Sequence, residues 1–295
     1  MFQNAAAYNT GRIISYTIIG GILGGLTDLF SLGNATFYGI GAYAVSIGMS
    51  IMGWSFPVCI IAGVLVNMAL GFILGMVSGR LSGFFFVMAT LALGHVVKTV
   101  ALQWSNITGG SNGQSIIRPE IARSTFLYVM VIMAAVYTVI FIIIRKSRTG
   151  SMLVSIRENV NLARSLGVNV LKYKTIASII SAVMSSFVGA FICYYVVSVD
   201  PTSNLNSSIS TMIVLVVIVG GIGTAWGPVI GSTMILLEQI IRGNMGSSYA
   251  PLTNIIFGIV LIAFMLFCSG GVMGLLTGQG KKKKPAAGAN AAAKN

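Results

Sequence analysis

The chain is poor in charge and poorest in acid. Among 295 residues only 5 are Asp or Glu, against 18 Lys or Arg, and charged residues make up 8% of the whole. A soluble chain of this size carries about 25%. With 56% hydrophobic residues and a mean hydropathy of +0.91, that deficit excludes a water-soluble domain. There is a single histidine, His95, and no metal ligand stands three or four residues from it, so a local metal motif is absent. The cysteines Cys59, Cys193 and Cys268 lie in apolar runs without C-x-x-C spacing, and they read as small core residues rather than as a zinc site or a disulfide framework. No stretch has the GxxxxGK[ST] pattern. TGGSNG (108–113) and GLLTGQGKKKK (274–284) both miss it, so the chain has no motif for ATP hydrolysis. An intramembrane enzyme would need a nucleophile and base or a metal cluster, and His95 has no acidic neighbour to supply either.

What the chain does have is a succession of apolar runs divided by short polar stretches. Residues 145–174 carry Arg145, Lys146, Arg148, Arg157, Arg164, Lys172 and Lys174 against the one acid Glu158, so the positive-inside rule places this stretch in the cytoplasm. Within it, residues 155–166 are expected to form a short helix with Ile156, Val160 and Ala163 on one side, ended by Gly167. Such a segment is either a docking surface for a soluble partner or a charged loop that only orients the spans, and basicity does not choose between them. Lys281 to Lys284 add to the basic excess, which suits an anionic inner leaflet better than a nucleic acid.

In chain order, residues 1–11 read as an interfacial segment, 12–274 as a membrane domain whose first run is a retained span and not a cleaved signal, and 275–295 as a disordered basic cytoplasmic tail. The first glycine-rich region comprises runs at 13–26 and 31–52 around Asp28. Gly33, Gly39 and Gly41 mark either tight helix packing or an interrupted, path-lining span. Further spans are expected at 54–77, bounded by Trp54 and Arg80, and at 84–102, 126–144, 175–199 and 252–267. His95 is either a packed polar residue or part of a pathway, and Lys98 can snorkel to the interface. The loop 105–124 has the composition of a sharply turning segment. A second glycine-dense break, with Gly220, Gly221, Gly223 and Gly227, divides a span running from 209 to 241, and its likeness to the first suggests inverted internal repeats. Glu238 and Arg242 are spaced to pair with each other. The expected fold class is all-α, a polytopic α-helical membrane protein of roughly eight or nine transmembrane helices with glycine-interrupted spans.

Five motifs carry a more specific signal through their order and spacing: SLGNATFYGIGAY (31–43), RLSGFFFVMATLALGHVVKTV (80–100), TGGSNG (108–113), IRENVNLARSLGVNVLKYK (156–174) and VVIVGGIGTAWGPVIGS (216–232). Together they resemble the permease subunit of branched-chain amino acid ABC transporters, the LivM type. The resemblance implies an importer of the bacterial inner membrane that works by alternating access and does no covalent chemistry. It implies as partners a second permease subunit (a LivH-like sister or another copy), two cytosolic ATPases, and a periplasmic or extracellular amino-acid-binding protein. ATP and magnesium would be bound by those partner subunits, and this chain would hold no cofactor. By the same resemblance, Arg157, Glu158, Ala163, Arg164 and Gly167 lie in the loop that docks on the ATPase. Ser31, Gly33, Asn34, Gly39, Gly41, His95, Gly220, Gly221, Gly223 and Gly227 are candidates for the path or for close packing. Thr108, Gly109, Gly110, Asn112 and Gly113 belong to a receptor-facing loop. Asn34 stands where many relatives have histidine, which removes a titrating role at that position. The family also covers permeases for urea, short amides and other amino acids. A secondary transporter is the competing class, and its acidic candidates in the membrane are limited to Asp28 and Glu238.

Overall fold

The computed structural model describes residues 31–81, 84–117, 123–221, 227, 229–233 and 258. The runs at 13–26 and, apart from Gly258, 252–267, together with Asp28, Gly223, the Glu238 and Arg242 pair, and the tail, lie outside the described residues.

A backbone in hydrocarbon has no water to bond, so apolar runs satisfy their N–H and C=O groups internally as helices. In order these are α1 (Asn34–Ser50), α2 (Phe56–Arg80), α3 (Phe84–Gln103), the short α4 (Ser105–Thr108), α5 (Arg123–Lys146), α6 (Arg148–Glu158), α7 (Val160–Ser165), α8 (Val170–Val196), the short α9 (Pro201–Asn204) and α10 (Ser207–Gly220). Among the described residues, five segments are long and apolar enough to cross a membrane: Phe56–Gly79, Phe84–Gln103, Tyr128–Lys146, Val170–Val196 and Pro201–Gly220. Helix α1 has 17 residues. It therefore reaches about 25 Å, short of the roughly 30 Å hydrocarbon core.

Polar residues set the starts of the later helices. Asn169 Oδ1 accepts from the Lys172 N–H (3.1 Å) and Asn206 Oδ1 from the Ser208 N–H (3.0 Å), each meeting a donor that the first helical turn leaves free. The cap at Asn169 explains why the span expected at 175–199 begins earlier, so that Lys172 and Lys174 belong to α8 rather than to a loop. The fold is also not purely helical. Strand β1 (Gln114–Ser115) pairs antiparallel with β2 (Ser198–Val199), Gln114 opposite Val199, and the Ile116 N–H extends the pairing to the Val197 carbonyl (2.8 Å). These short segments beyond the spans have no helix to take up their backbone groups, and they satisfy one another.

The two glycine-rich regions differ. Helix α1 runs unbroken through Gly39 and Gly41, so the first region is not interrupted at those glycines. They serve close approach: a β-carbon on Gly41 would collide with the Ser186 backbone, and one on Gly39 with Leu205. The second region does break. Helix α10 ends at Gly220, Gly221 turns the chain at φ 112°, and the returning backbone at Gly227 lies against Gly220.

Helix α8 is the centre of the bundle, its span being 67% buried against 11% for the span in α5. It packs most extensively on α2 and then on α1. On α2 the residues Gly63, Asn67, Gly71, Gly75 and Gly79 recur every fourth position and so share one face. A β-carbon on Gly71 would lie 2.8 Å from Ala182 Cβ, and one on Gly75 would lie 2.5 Å from Thr175 Cα. Both are closer than real β-carbons approach, so α2 and α8 meet nearly backbone to backbone. Replacing Gly75 with Leu should therefore force the helices apart, at a cost of about 3 kcal/mol. Thermal unfolding of the detergent-solubilised protein would show a lowered midpoint for Gly75→Leu, and no change for Val66→Leu on the exposed face of α2.

Candidate functional site

The basic stretch is built from two helices rather than the single one expected at 155–166. Helix α6 starts at Arg148 and stops at Glu158, because Asn159 is extended (φ −159°, ψ 108°) and its Oδ1 accepts from the N–H groups of Asn161 and Leu162, both at 3.0 Å. An asparagine that caps the following turn competes with continuation of the preceding one. After α7, Gly167 takes φ +80°, and its N–H donates to the Arg164 carbonyl (3.0 Å) while that of Val168 reaches Ala163 (3.0 Å). No atom would obstruct a β-carbon at Gly167, so the glycine is required by its left-handed backbone alone.

Ile156, Ala163 and Val170 form one buried cluster with Val160, Val168 and Tyr173 packed against it, so the expected apolar side persists across the break. Its consequence is that Ala163, 1% exposed, turns its methyl inward. Arg157 is half-buried, and Glu158, Arg164 and Gly167 are exposed. Two leucines one turn apart accompany them, Leu162 at 59% and Leu166 at 72% exposure. The sequence reading missed both, because leucine beside an apolar run reads as core. The available signal was their i,i+4 spacing on a helix whose buried position was already taken by Ala163.

The other end of α8 meets the TGGSNG loop. Thr108 closes α4, residues Gly110–Asn112 form a 3₁₀ turn, and Gly109, Gly110 and Gly113 all have positive φ. Thr108 Oγ1 accepts from the Gly110 N–H (3.3 Å), while Asn112 is exposed. Gly113 lies so close to Val199 and Asp200 that a side chain there would collide with β2. Ser46 Oγ donates to Gln114 Oε1 (3.1 Å), which ties the loop to α1. Burial works against a charge on Asp200, but hydrogen bonds from Thr202 and Ser203 outweigh it and hold the carboxyl below the usual carboxylate range. An acid that remains ionised thus stands at this end, opposite the basic one.

Between the two ends, Ser31, Gly33 and Asn34 are buried at the start of α1. The Leu32 N–H donates to Thr90 Oγ1 on α3 (3.2 Å), and the Ala35 N–H to Ser210 Oγ on α10 (2.9 Å). Asn34 Oδ1, Thr36 Oγ1, Asn67 Oδ1, Ser178 Oγ and Ser181 Oγ are buried without a hydrogen-bond partner. His95 does not pack inside the bundle. It is exposed on α3, with exposed Thr99 and Gln103 at successive turns. An apolar pocket of about 340 Å³ opens between α1, α2 and α3, with Tyr43, Gly48, Ala62 and Ala101 in its wall. Among the described residues, no group of three or more His, Cys, Asp or Glu could hold a metal ion.

Residues 11–265 match the family described as the permease component of the branched-chain amino acid transport system. The chain belongs to that family. It is thus a non-catalytic, multi-pass permease of the bacterial inner-membrane type. It is similar to the high-affinity branched-chain amino acid transport system permease protein LivM of Salmonella typhimurium, at 27% identity across 91% of this chain and 70% of the relative. LivM of Escherichia coli is 26% identical, across 92% of this permease and 71% of the relative. A LivM permease of Methanocaldococcus jannaschii is 22% identical, across 92% of this chain and 87% of the relative. No solved structure matches the permease significantly. The geometry of the basic segment can be checked by thiol labelling in a background without native cysteines. Single cysteines at Leu162 and Leu166 should react with a water-soluble maleimide at least about tenfold faster than one at Ala163, in line with their burial.

Proposed function

We propose that the chain is the membrane-spanning subunit of an ATP-driven importer of branched-chain amino acids, with α6 and α7 facing the cytoplasm and the TGGSNG loop facing an external binding protein. The observation that carries this reading is the family match over residues 11–265. Leu162 and Leu166, flanked by Arg157, Glu158 and Arg164, give α6 and α7 an exposed apolar anchor within a charged rim, the composition that a protein-docking patch needs. The docking contribution of Ala163 and Gly167 is then indirect: one packs the pair of helices onto α8 and the other turns the chain into it.

The exposed imidazole of His95 supports placing that face of α3 against a second permease subunit or a water-filled path, because an ionisable side chain facing lipid is costly. Gly33 to Gly41 and Gly220 to Gly227 flank the same path on this reading. The full set of roughly eight or nine spans is proposed to form two inverted repeats, one around α1 and the other around the break after α10. With so little charge in its spans, the permease contributes weak contacts, and the binding protein carries the selectivity.

Reconstitution with the partner subunits tests this. Proteoliposomes should take up leucine or isoleucine only with the binding protein and ATP present, and replacing Leu162 and Leu166 together with Asp should lower stimulated ATP hydrolysis at least about tenfold, or 1.4 kcal/mol. The complex without the binding protein should bind leucine no tighter than about 1 mM by calorimetry. Micromolar binding or receptor-independent uptake would contradict the proposal.

A further inference from the structure

Among the described residues, the only buried cation is Lys174, 6% exposed and one turn into α8. Its Nζ donates to the Ser78 carbonyl (3.2 Å), across a contact buried between α8 and the last turn of α2. The final carbonyls of a helix have no partner within the helix, and the negative end of its dipole favours a cation, so the ammonium meets α2 where a donor is most useful. The bond does not act alone. Thr175, the next residue of α8, touches Gly75, and Leu171 touches Gly79, so the two helices are also in close contact on both sides of the lysine. Farther along α2, Gly71 meets Ala182, and Gly63 approaches Ala44 of α1 and Ser186 of α8. At its other end α2 supplies Ala62 and Val66 to the apolar pocket.

We infer that α2 and α8 move as one rigid lever, and that Lys174 is the positioning residue that pins α2 to the segment carrying α6 and α7. The inference rests on the permease reading above. Helix α7 passes through Gly167 and Asn169 into α8 with no intervening flexible stretch, and Val170 shares the cluster of Ile156 and Ala163. A displacement of α6 and α7 by a partner is therefore delivered to α8. Through Lys174 and the glycine contacts it reaches α2, which carries it across the membrane to the pocket wall between α1 and α3. Sliding of α2 along α8 would move Thr175 and Leu171 off Gly75 and Gly79 and against bulkier neighbours, so the closely packed seam resists any displacement short of a full glycine repeat.

The test uses the assembled transporter in proteoliposomes, in a background without native cysteines, with Gly79→Cys and Leu171→Cys. A β-carbon on Gly79 would lie 3.3 Å from Leu171 Cβ, close enough for a disulfide to bridge the two sites. The reduced sample reports whether the chain acts as a permease at all, and the oxidised sample reports on the lever. Uptake after oxidation should stay within about twofold of the reduced sample, and at least a tenfold loss reversed by reductant would overturn the rigid lever. Lys174→Met should raise the ATP consumed per solute moved at least tenfold, Lys174→Arg should restore it, and the cross-link should rescue Lys174→Met. An unchanged ratio in Lys174→Met would remove the lysine from the mechanism. If that variant does not accumulate in the membrane, the cross-linked and reduced samples still decide whether α2 and α8 move together.

Discussion

The architecture depends on the near backbone-to-backbone contact of α2 with α8. In a bilayer the hydrophobic effect does not drive one helix onto another, because lipid is as apolar as the helix surface, and association falls to dispersion contacts and backbone proximity. Gly71 and Gly75 supply that proximity against Ala182 and Thr175, and the same device brings α1 onto α8 through Gly41 at Ser186 and Gly189 at Tyr38. Helices α1, α2 and α8 thereby form a core in which backbones meet at small residues while large side chains pack between these contacts, Phe37 of α1 with Leu74 of α2 and Ala182 of α8. The exposed faces of α2, α3 and α5, with Ile61, Phe72, Phe85, Ile132 and Val139, are what remains for lipid and for partner subunits.

The placing of the basic segment and the turn-forming loop outside this core follows from the same constraint. The basic segment and the TGGSNG loop sit at opposite ends of α8, so both lie on the helix that is itself the best packed. A contact made at either end is made on a rigid scaffold. The small sheet of β1 and β2 has a related role: it ties the loop between α3 and α5 to the end of α8. Ile116, buried in one cluster with Ala42, Tyr43 and Cys193, and the Ser46 to Gln114 bond hold the same loop to α1 and α8.

Much of this was legible in the sequence. Apolar runs bounded by Trp54, Arg80 and the basic cluster located α2, α3, α5 and α8 to within a few residues, since length and composition alone decide what crosses a membrane. The features misjudged or undecided there turn on geometry that composition does not carry. Residues 155–166 have a continuous helical pattern, yet Asn159 interrupts it because its amide caps the next turn. Gly39 and Gly41 leave the choice between a break and close packing open in the sequence, and the structure shows the second: a helix retains glycine wherever another backbone must come close, and the two uses look alike in one chain. Ala163 and Leu162 differ in role by one position, which only the direction of the α7 face decides. The four-residue ladder from Gly63 to Gly79 is written in the sequence as one small residue per turn, a sparser signal than a dense glycine cluster.

That ladder raises a question of register. Small residues repeated every fourth position allow the partner helix to shift by one repeat, about 6 Å, and meet a similar surface again. Two polar bonds remove this degeneracy. Asn67, in the place of a glycine, donates from Nδ2 to the Phe37 carbonyl of α1 (3.0 Å), and Lys174 donates to the Ser78 carbonyl of α2 (3.2 Å). In an apolar medium a displaced amide or ammonium would lose its acceptor, with about 1–3 kcal/mol lost for the neutral group and more for the charged one. A shifted register would therefore be penalised at both positions, although the glycines alone would tolerate it. Buried polar residues that fix register at a cost in stability are well attested in helical assemblies. Here Asn67 leaves its own Oδ1 without a partner, a cost that a glycine in the same position would avoid. Its presence is explained by α1, whose small residues Gly41, Ala44 and Gly48 meet Gly63 and Cys59 of α2 and would on their own leave the register of that contact free, so that the amide bond to Phe37 sets it.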